Sequence, residues 1–307
     1  MSIRAFTLAV VLVVVIPSVA VAAVVRSWVP RPAAAAVPST AAPTTATTAA
    51  TTAATTTGAP TTAVPPTTTP PPAPDVFDAG ATTTHDHDDG LWLSWSLVDT
   101  ADGRTVGSAN STTERTNAES SMKAWITTDF LRVAGERGRT VRASDRATID
   151  AAIRKSDDQA AERLYRSIGA DQVLRDLKTV CGVAVSTARR GYWSYAQITA
   201  TDATNILDCV LDKAPTYPGG DEIVTDLRSV APDNAFGIPQ ALPTGTAVAV
   251  KNGWTAHSAS GKWNVDCVAS WDHYALAVLT RYPIGRQLDY GATVCSDVTT
   301  TLLARLG

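Results

Sequence analysis

The chain has 307 residues, with 26 Lys and Arg against 29 Asp and Glu, for a formal net charge of -3. No basic run interleaves with aromatic residues, which excludes the electrostatic footprint of a nucleic-acid-binding protein. An apolar content of 45% leaves enough material for one sizeable core.

From Ala5 to Val25 the chain is uncharged and largely apolar behind Arg4, a stretch of about 20 residues that is long enough to cross a bilayer. Residues 1–31 therefore read either as an uncleaved membrane anchor or as a signal peptide. In the second case Pro17 breaks the apolar core and Ser18-Val19-Ala20-Val21-Ala22-Ala23 is the cleavage region. Both readings imply export. The first cysteine is Cys181, so no cysteine is available for lipid attachment near this segment. Residues 32–90 read as a linker. From Pro32 to Pro74 the composition collapses to Thr, Ala and Pro, which cannot bury enough apolar surface to offset ordering entropy. Extended as polyproline at about 3.1 Å per residue, that spacer would reach on the order of 100 Å. His85-Asp86-His87-Asp88-Asp89 has metal-ligand residue types but reads as a solvated acidic junction. No metal or cofactor is expected.

Residues 91–307 form the folded domain. Leu91 to Asp99 alternates as a strand, and Asp102-Gly103 turns it into a second run from Arg104 to Ser108. A helix is predicted from Ser120 to about Arg132, ending before Gly135. Ala147 to Arg154 and Gln159 to Ile168 read as helices separated by Lys155-Ser156-Asp157-Asp158, and another helix follows Thr201. Strands are predicted at Ala247–Lys251, Trp263–Ser270 and Tyr274–Leu279, and a closing helix at about Ala292–Leu306. Strands at both ends with helices between them predict an α+β fold, one antiparallel sheet built from both termini plus a helical lobe. Cys181, Cys209, Cys267 and Cys295 form an even set with no C-x-x-C, which suggests two disulfides in an oxidising compartment. Three pairings are formally open. Cys181–Cys209 with Cys267–Cys295 is preferred, because each closes a short separation between neighbouring elements.

Three short motifs carry the chemistry. Ser120-Ser121-Met122-Lys123 places a hydroxyl and an amine three residues apart, on one face of a helix, as a nucleophile and its activator require. Ser156-Asp157-Asp158 and Lys251-Asn252-Gly253-Trp254 follow. Lysine is scarce, six against twenty arginines, so two lysines inside these motifs count for something. Each motif also has a plain structural reading. Ser120 can cap a helix, Ser156 with Gln159 can form a capping box, and Asn252-Gly253 can make a turn.

Taken together with their flanks, the motifs resemble the penicillin-recognising serine acyl-enzymes, especially class A β-lactamases. The likeness spans Leu91 to Gly307 and continues in Asp99-x-x-x-Gly103 and Thr199-Ala200-Thr201-Asp202. It implies Ser120 as nucleophile, Lys123 as its activator, and Ser156 as the relay that protonates the leaving nitrogen. It further implies Asp158, Lys251, Asn252, Gly253 and Trp254 as substrate-binding positions, with the N–H groups of Ser120 and Trp254 as an oxyanion hole. At an unperturbed pKa a neutral Lys123 amine would cost about 4.6 kcal/mol at pH 7, so this role needs a closed, positively charged pocket.

The chain departs from that family in four places, one of them a helical lobe between Ser120 and Ser156 that is shorter than in typical members. No glutamate lies between Glu162 and Glu222, an interval that includes the loop, about Val185 to Thr199, where class A enzymes hold their deacylating carboxylate. Asp158 replaces the usual asparagine, and Asn252 replaces the usual threonine or serine. Asp202 reads as a helix cap rather than a replacement base. The expectation is an exported monomer that is acylated at Ser120 by a β-lactam or a peptidoglycan-like peptide and released slowly. A catalytically degenerate cell-wall or partner-binding module on the same scaffold and a small-amide amidohydrolase are the alternatives. His257 and His273 lack a Gly-x-Ser-x-Gly elbow, so no α/β-hydrolase triad is expected.

Overall fold

The structure, a computed structural model, describes residues 75–306. The signal or anchor segment and the Thr/Pro/Ala spacer lie outside the described residues. Among the described residues no helix is long and apolar enough to cross a membrane.

The elements begin with α1 (Val76–Ala79), β1 (Trp92–Asp99), β2 (Thr105–Gly107) and β3 (Thr116–Asn117). A 3₁₀ turn at Glu119–Met122 then runs into α2 (Lys123–Glu136). The helical lobe continues through α3 (Ala143–Arg154), α4 (Asp158–Ser167) and α5 (Gln172–Cys181). After β4 (Ser186–Thr187) and β5 (Ala196–Ile198) come α6 (Ala200–Lys213), α7 (Asp221–Leu227) and α8 (Ile238–Ala241). The chain closes with β6 (Val248–Val250), β7 (Gly253–His257), β8 (Lys262–Trp271), β9 (Tyr274–Pro283) and α9 (Gln287–Leu303).

The main sheet runs β2-β1-β9-β8-β6, with β7 also paired to β8, and every pair is antiparallel. The α+β expectation holds: β1 from the start of the domain pairs along its whole length with β9 near the end. Both faces of the sheet are buried. Ala277 and Leu279 of β9 join the helical-lobe core, while Leu276 and Val278 pack with Val294, Val298 and Leu302 of α9. A strand covered on both faces loses the polar half of its alternation, which is why Tyr274–Leu279 reads as a plain apolar run.

Both disulfides pair as preferred. Cys181–Cys209 ties α5 to α6, and Cys267–Cys295 ties β8 to α9, each across a separation of 28 residues. Loop closure of that size is worth about 3–4 kcal/mol per bond.

Several boundaries differ from expectation. Residues 75–90, expected from composition to be linker, pack on the domain. Val76 is fully buried and its N–H donates to Arg305 O at 2.9 Å. His85 bonds Asp88 at 2.8 Å and Asp297 of α9 at 3.0 Å, and Tyr290 donates to Asp88 at 2.8 Å. The acidic run is therefore partnered by the closing helix, a contact that no local composition reveals. Among the described residues no cluster is built to hold a metal. Helix α2 passes through Gly135 instead of stopping there, because its buried face from Ala124 to Ala134 is packed on the core and outweighs one glycine. Helices α5 and α7 were not expected.

Two buried carboxyls make stability depend on pH. Burial pushes Asp266 well above the carboxylate range, with the nearby Glu119 adding to it, and neither Asp266 oxygen has a hydrogen-bond partner. Burial pushes Asp129 up to about 7, although Arg132 Nε lies 2.7 Å away and opposes the shift. For a raised pKa the stabilisation is complete below the unfolded value, about 4, and is lost as pH rises through the folded value. Asp266→Asn removes the buried ionisation. It should raise the unfolding temperature at about pH 8 by about 3–6 °C and change it little at about pH 4. An equal gain at both pH values in a thermal melt would refute this account.

Candidate active site

The three motifs converge from the 3₁₀ turn, the α3–α4 junction and the β6–β7 edge. Lys123 opens α2 with no exposed surface and directs Nζ to Ser156 O at 2.5 Å, Ser156 Oγ at 3.2 Å and Asp158 Oδ1 at 2.6 Å. Lys251, 1% exposed, donates from the opposite side to Ser156 Oγ at 3.0 Å and to Asn252 O at 3.1 Å. Two buried ammonium groups thus meet at one hydroxyl. Burial pulls the Lys123 pKa down while Asp158 holds it up, and the net direction is down. Burial, then the neighbouring Lys123, push Lys251 well below its ordinary value. Asp158 acts on both lysines and Asp157 on Lys123 as well, yet burial still carries both pKa values downward.

Backbone conformation places Ser156. It holds φ of +53°, a left-handed value that is uncommon for a non-glycine residue. Asp157, rather than Ser156, caps α4, accepting Ala160 N–H at 2.7 Å. That corrects the capping-box reading and leaves the Ser156 hydroxyl free to face the lysines. Asp158 begins α4 with its side chain 80% exposed apart from the bond to Lys123.

Ser120 sits half-buried in the 3₁₀ turn, on a cleft of about 630 Å³ shared with Asp158, Trp193, Tyr195, Trp254 and His257. The turn is held by Glu119, whose φ is +45° and whose carboxylate is buried. That carboxylate accepts from Thr255 Oγ1 at 2.7 Å and from Asn264 Nδ2 at 3.3 Å, and lies 2.7 Å from His257 Nε2. Charge-assisted bonds of this kind offset the backbone strain next to Ser120. Gly253 makes the close approach possible: a Cβ there would lie 2.7 Å from Ser120 N and 2.9 Å from Ser121 N. The β7 edge therefore abuts the Ser120 amide.

Asn252 departs from its expected place. Its amide donates to Asn234 O at 3.1 Å and Phe236 O at 2.9 Å, and its oxygen accepts Val268 N–H at 3.2 Å. With 1% exposure it stitches β6 and β7 to β8 and does not face the cleft. The pairs Val250–Ala269 and Gly253–Asp266 stay in one register across it, so its side chain fills a gap in the ladder. Asp202 forms a reciprocal cap with Thr199 at 3.0 Å and pairs with Arg115 at 2.8 Å, as the helix-cap reading expected.

The segment from 185 to 199 folds over Lys123. Trp193, 6% exposed, places its ring 5.1 Å from Lys123 Nζ and donates from Nε1 to Glu162 Oε2 at 3.1 Å. Glu162 is a cleft carboxylate that the motifs did not single out, although it lies one turn after Asp158 on α4. Its other oxygen accepts Arg166 Nε at 2.5 Å. Both oxygens are therefore engaged. Glu119 and His257 were also missed as a pair, since 138 residues separate them.

No protein-family model matches the chain. Its sequence is 28% identical over 199 residues to "Putative lipoprotein LppW" of Mycobacterium tuberculosis, and equally to that of Mycobacterium bovis. The match covers 62% of this chain and 60% of the relatives, so the chain spans about three-fifths of their length. All four cysteines here are in disulfides, and none is free to carry a lipid. A class A beta-lactamase from Mycobacterium abscessus superposes with a TM-score of 0.57 at 21% identity, covering 70% of this chain and 94% of the enzyme. A beta lactamase from Burkholderia vietnamiensis gives 0.59 at 18% identity, covering 70% and 90%. The described domain has the fold of the class A β-lactamases.

Proposed function

We propose that the domain is an exported serine acyl-enzyme of the penicillin-binding type, acylated at Ser120 by a β-lactam or a peptidoglycan-like peptide. The observation that carries this reading is the meeting of Lys123 and Lys251 at the Ser156 hydroxyl, at 3.2 and 3.0 Å, beside a cleft that exposes Ser120. In the acylation step the Ser120 proton passes to a neutral Lys123 amine as Oγ bonds the carbonyl carbon. The carbon–nitrogen bond then breaks. The leaving nitrogen takes the Ser156 proton, and Lys123 reprotonates Ser156. Lys251 supplies positive charge for a substrate carboxylate, and Trp254 and Trp193 offer apolar walls.

Release should be slow. The 185–199 segment carries no carboxylate, Trp193 covers the Lys123 side of the site, and Glu162 is held by Trp193 and Arg166. Two disulfides and relatives named as lipoproteins support a place in the cell envelope. Intact mass after exposure to a reporter penicillin tests the reading. Wild type should gain one acyl group that persists for about an hour or longer, and Ser120→Ala should gain none. No adduct on wild type would sink it.

The withdrawn Asn252 and the Lys123–Asp158 pair favour a second reading, a wall-binding module without turnover. That reading expects peptidoglycan fragments to bind Ser120→Ala as well as wild type, with no adduct on either.

A further inference from the structure

Beside the cleft, the end of α2, the start of α3 and the outer face of α4 enclose a cavity of about 350 Å³. Four arginines line it, Arg137, Arg139, Arg142 and Arg163, and Asp145 is the one carboxylate among its lining residues. Asp145 serves two of them, with Arg139 Nη1 at 2.9 Å and Arg142 Nε at 3.6 Å. The guanidinium groups of Arg137 and Arg163 have no hydrogen bond or ion pair to a protein group among the described residues. Three neighbouring arginines of the lobe are matched: Arg132 bonds Asp129, Glu136 and Asp176, Arg146 bonds Glu222, and Arg154 bonds Asp150. Four guanidinium groups against one carboxylate leave this cavity with an excess of positive charge.

We infer that this cavity is a binding subsite for a phosphate-type anion. The guanidinium fork matches paired phosphate oxygens, and two unpaired forks suit a doubly charged group better than a single carboxylate. The floor is apolar, formed by Phe130 and Leu164, with the Arg139 guanidinium 4.7 Å over the Phe130 ring. Low local polarity strengthens each charged contact and fixes the fork's orientation. Arg163 lines both this cavity and the cleft that holds Ser120, so an anion bound here lies next to whatever occupies the cleft. The inference goes beyond the acyl-enzyme reading and does not require chemistry at Ser120.

Calorimetric titration of the protein with inorganic pyrophosphate tests it. Wild type should saturate at one site with a Kd of about 1 mM or tighter, weakening as salt is added. The double variant Arg137→Ala, Arg163→Ala should bind at least about tenfold more weakly, with its unfolding temperature unchanged because both side chains are exposed and unpaired. Absence of saturation by about 10 mM, or equal binding by the variant, would overturn the inference. Co-sedimentation with phosphatidylglycerol vesicles separates the sources of the anion. Retention of wild type that pyrophosphate reverses supports a lipid headgroup, and pyrophosphate binding without retention supports a soluble phosphate. Retention kept by the double variant and unaffected by pyrophosphate counts against the cavity as the site.

Discussion

Lys123→Met should lower the rate of Ser120 acylation by a reporter penicillin about 10²–10⁴-fold while leaving the domain folded. In the proposed step this amine takes the Ser120 proton, and burial has already moved its pKa downward. Wild-type acylation should therefore rise with pH until it passes that lowered pKa and then level off, whereas the variant should show no such rise. The stability outcome runs the other way. Lys123 is fully buried, and its carboxylate partner Asp158 is 80% exposed and can turn to water when the lysine is gone. Removing a buried cation whose partner stays solvated relieves desolvation, so the unfolding temperature should hold or rise. Stopped-flow acylation read beside a thermal melt checks both. A variant that melts lower and acylates at the wild-type rate would contradict both halves.

Gly253→Ala should slow acylation by about 10²-fold and destabilise the domain by about 1–3 kcal/mol. Its new methyl group would lie 2.7 Å from Ser120 N, 2.9 Å from Glu119 Cβ and 2.9 Å from Ser121 N. Two of those atoms are backbone and cannot swing aside. Relief requires the 3₁₀ turn to move off β7, which displaces the nucleophile from its donors and loosens the Glu119 bonds to Thr255 and Asn264. Reporter-penicillin kinetics with a denaturant melt measure the two effects. Wild-type values in both would mean that β7 does not press on the turn.

Much of the fold was legible because its signals are local. The alternation at Leu91–Asp99, the turn at Asp102-Gly103 and the Thr199/Asp202 cap each lie within a few residues. Boundaries were missed where tertiary packing overrode a local cue, as at Gly135 inside α2 and at residues 75–90. The motifs were found because Ser120 and Lys123, and Ser156 and Asp158, are short-range neighbours. What they touch was not legible in the same way. Lys123 reaches Ser156 across 33 residues, Lys251 reaches it across 95, and Glu119 meets His257 across 138. Asn252 was read as facing substrate because it stands in a motif, yet its oxygen is taken by Val268 N–H of β8 and its amide by the carbonyls of Asn234 and Phe236.

The sequence by itself determined the α+β plan, the cysteine pairing preference, the spacing of the three motifs that contain Ser120, Lys123, Ser156 and Lys251, and the absence of a glutamate between Glu162 and Glu222. These follow from composition, spacing and periodicity, which act over a few residues. Only the tertiary structure decided that two lysines share one serine hydroxyl, that Glu119 clamps the turn holding Ser120, that Asn252 belongs to the sheet, and that two unpaired arginines line a cavity beside the cleft. Each of those depends on burial and on contacts that exist once β1 has paired with β9 and the lobe has closed over the sheet. Before that closure the same side chains are solvated, far apart and chemically ordinary.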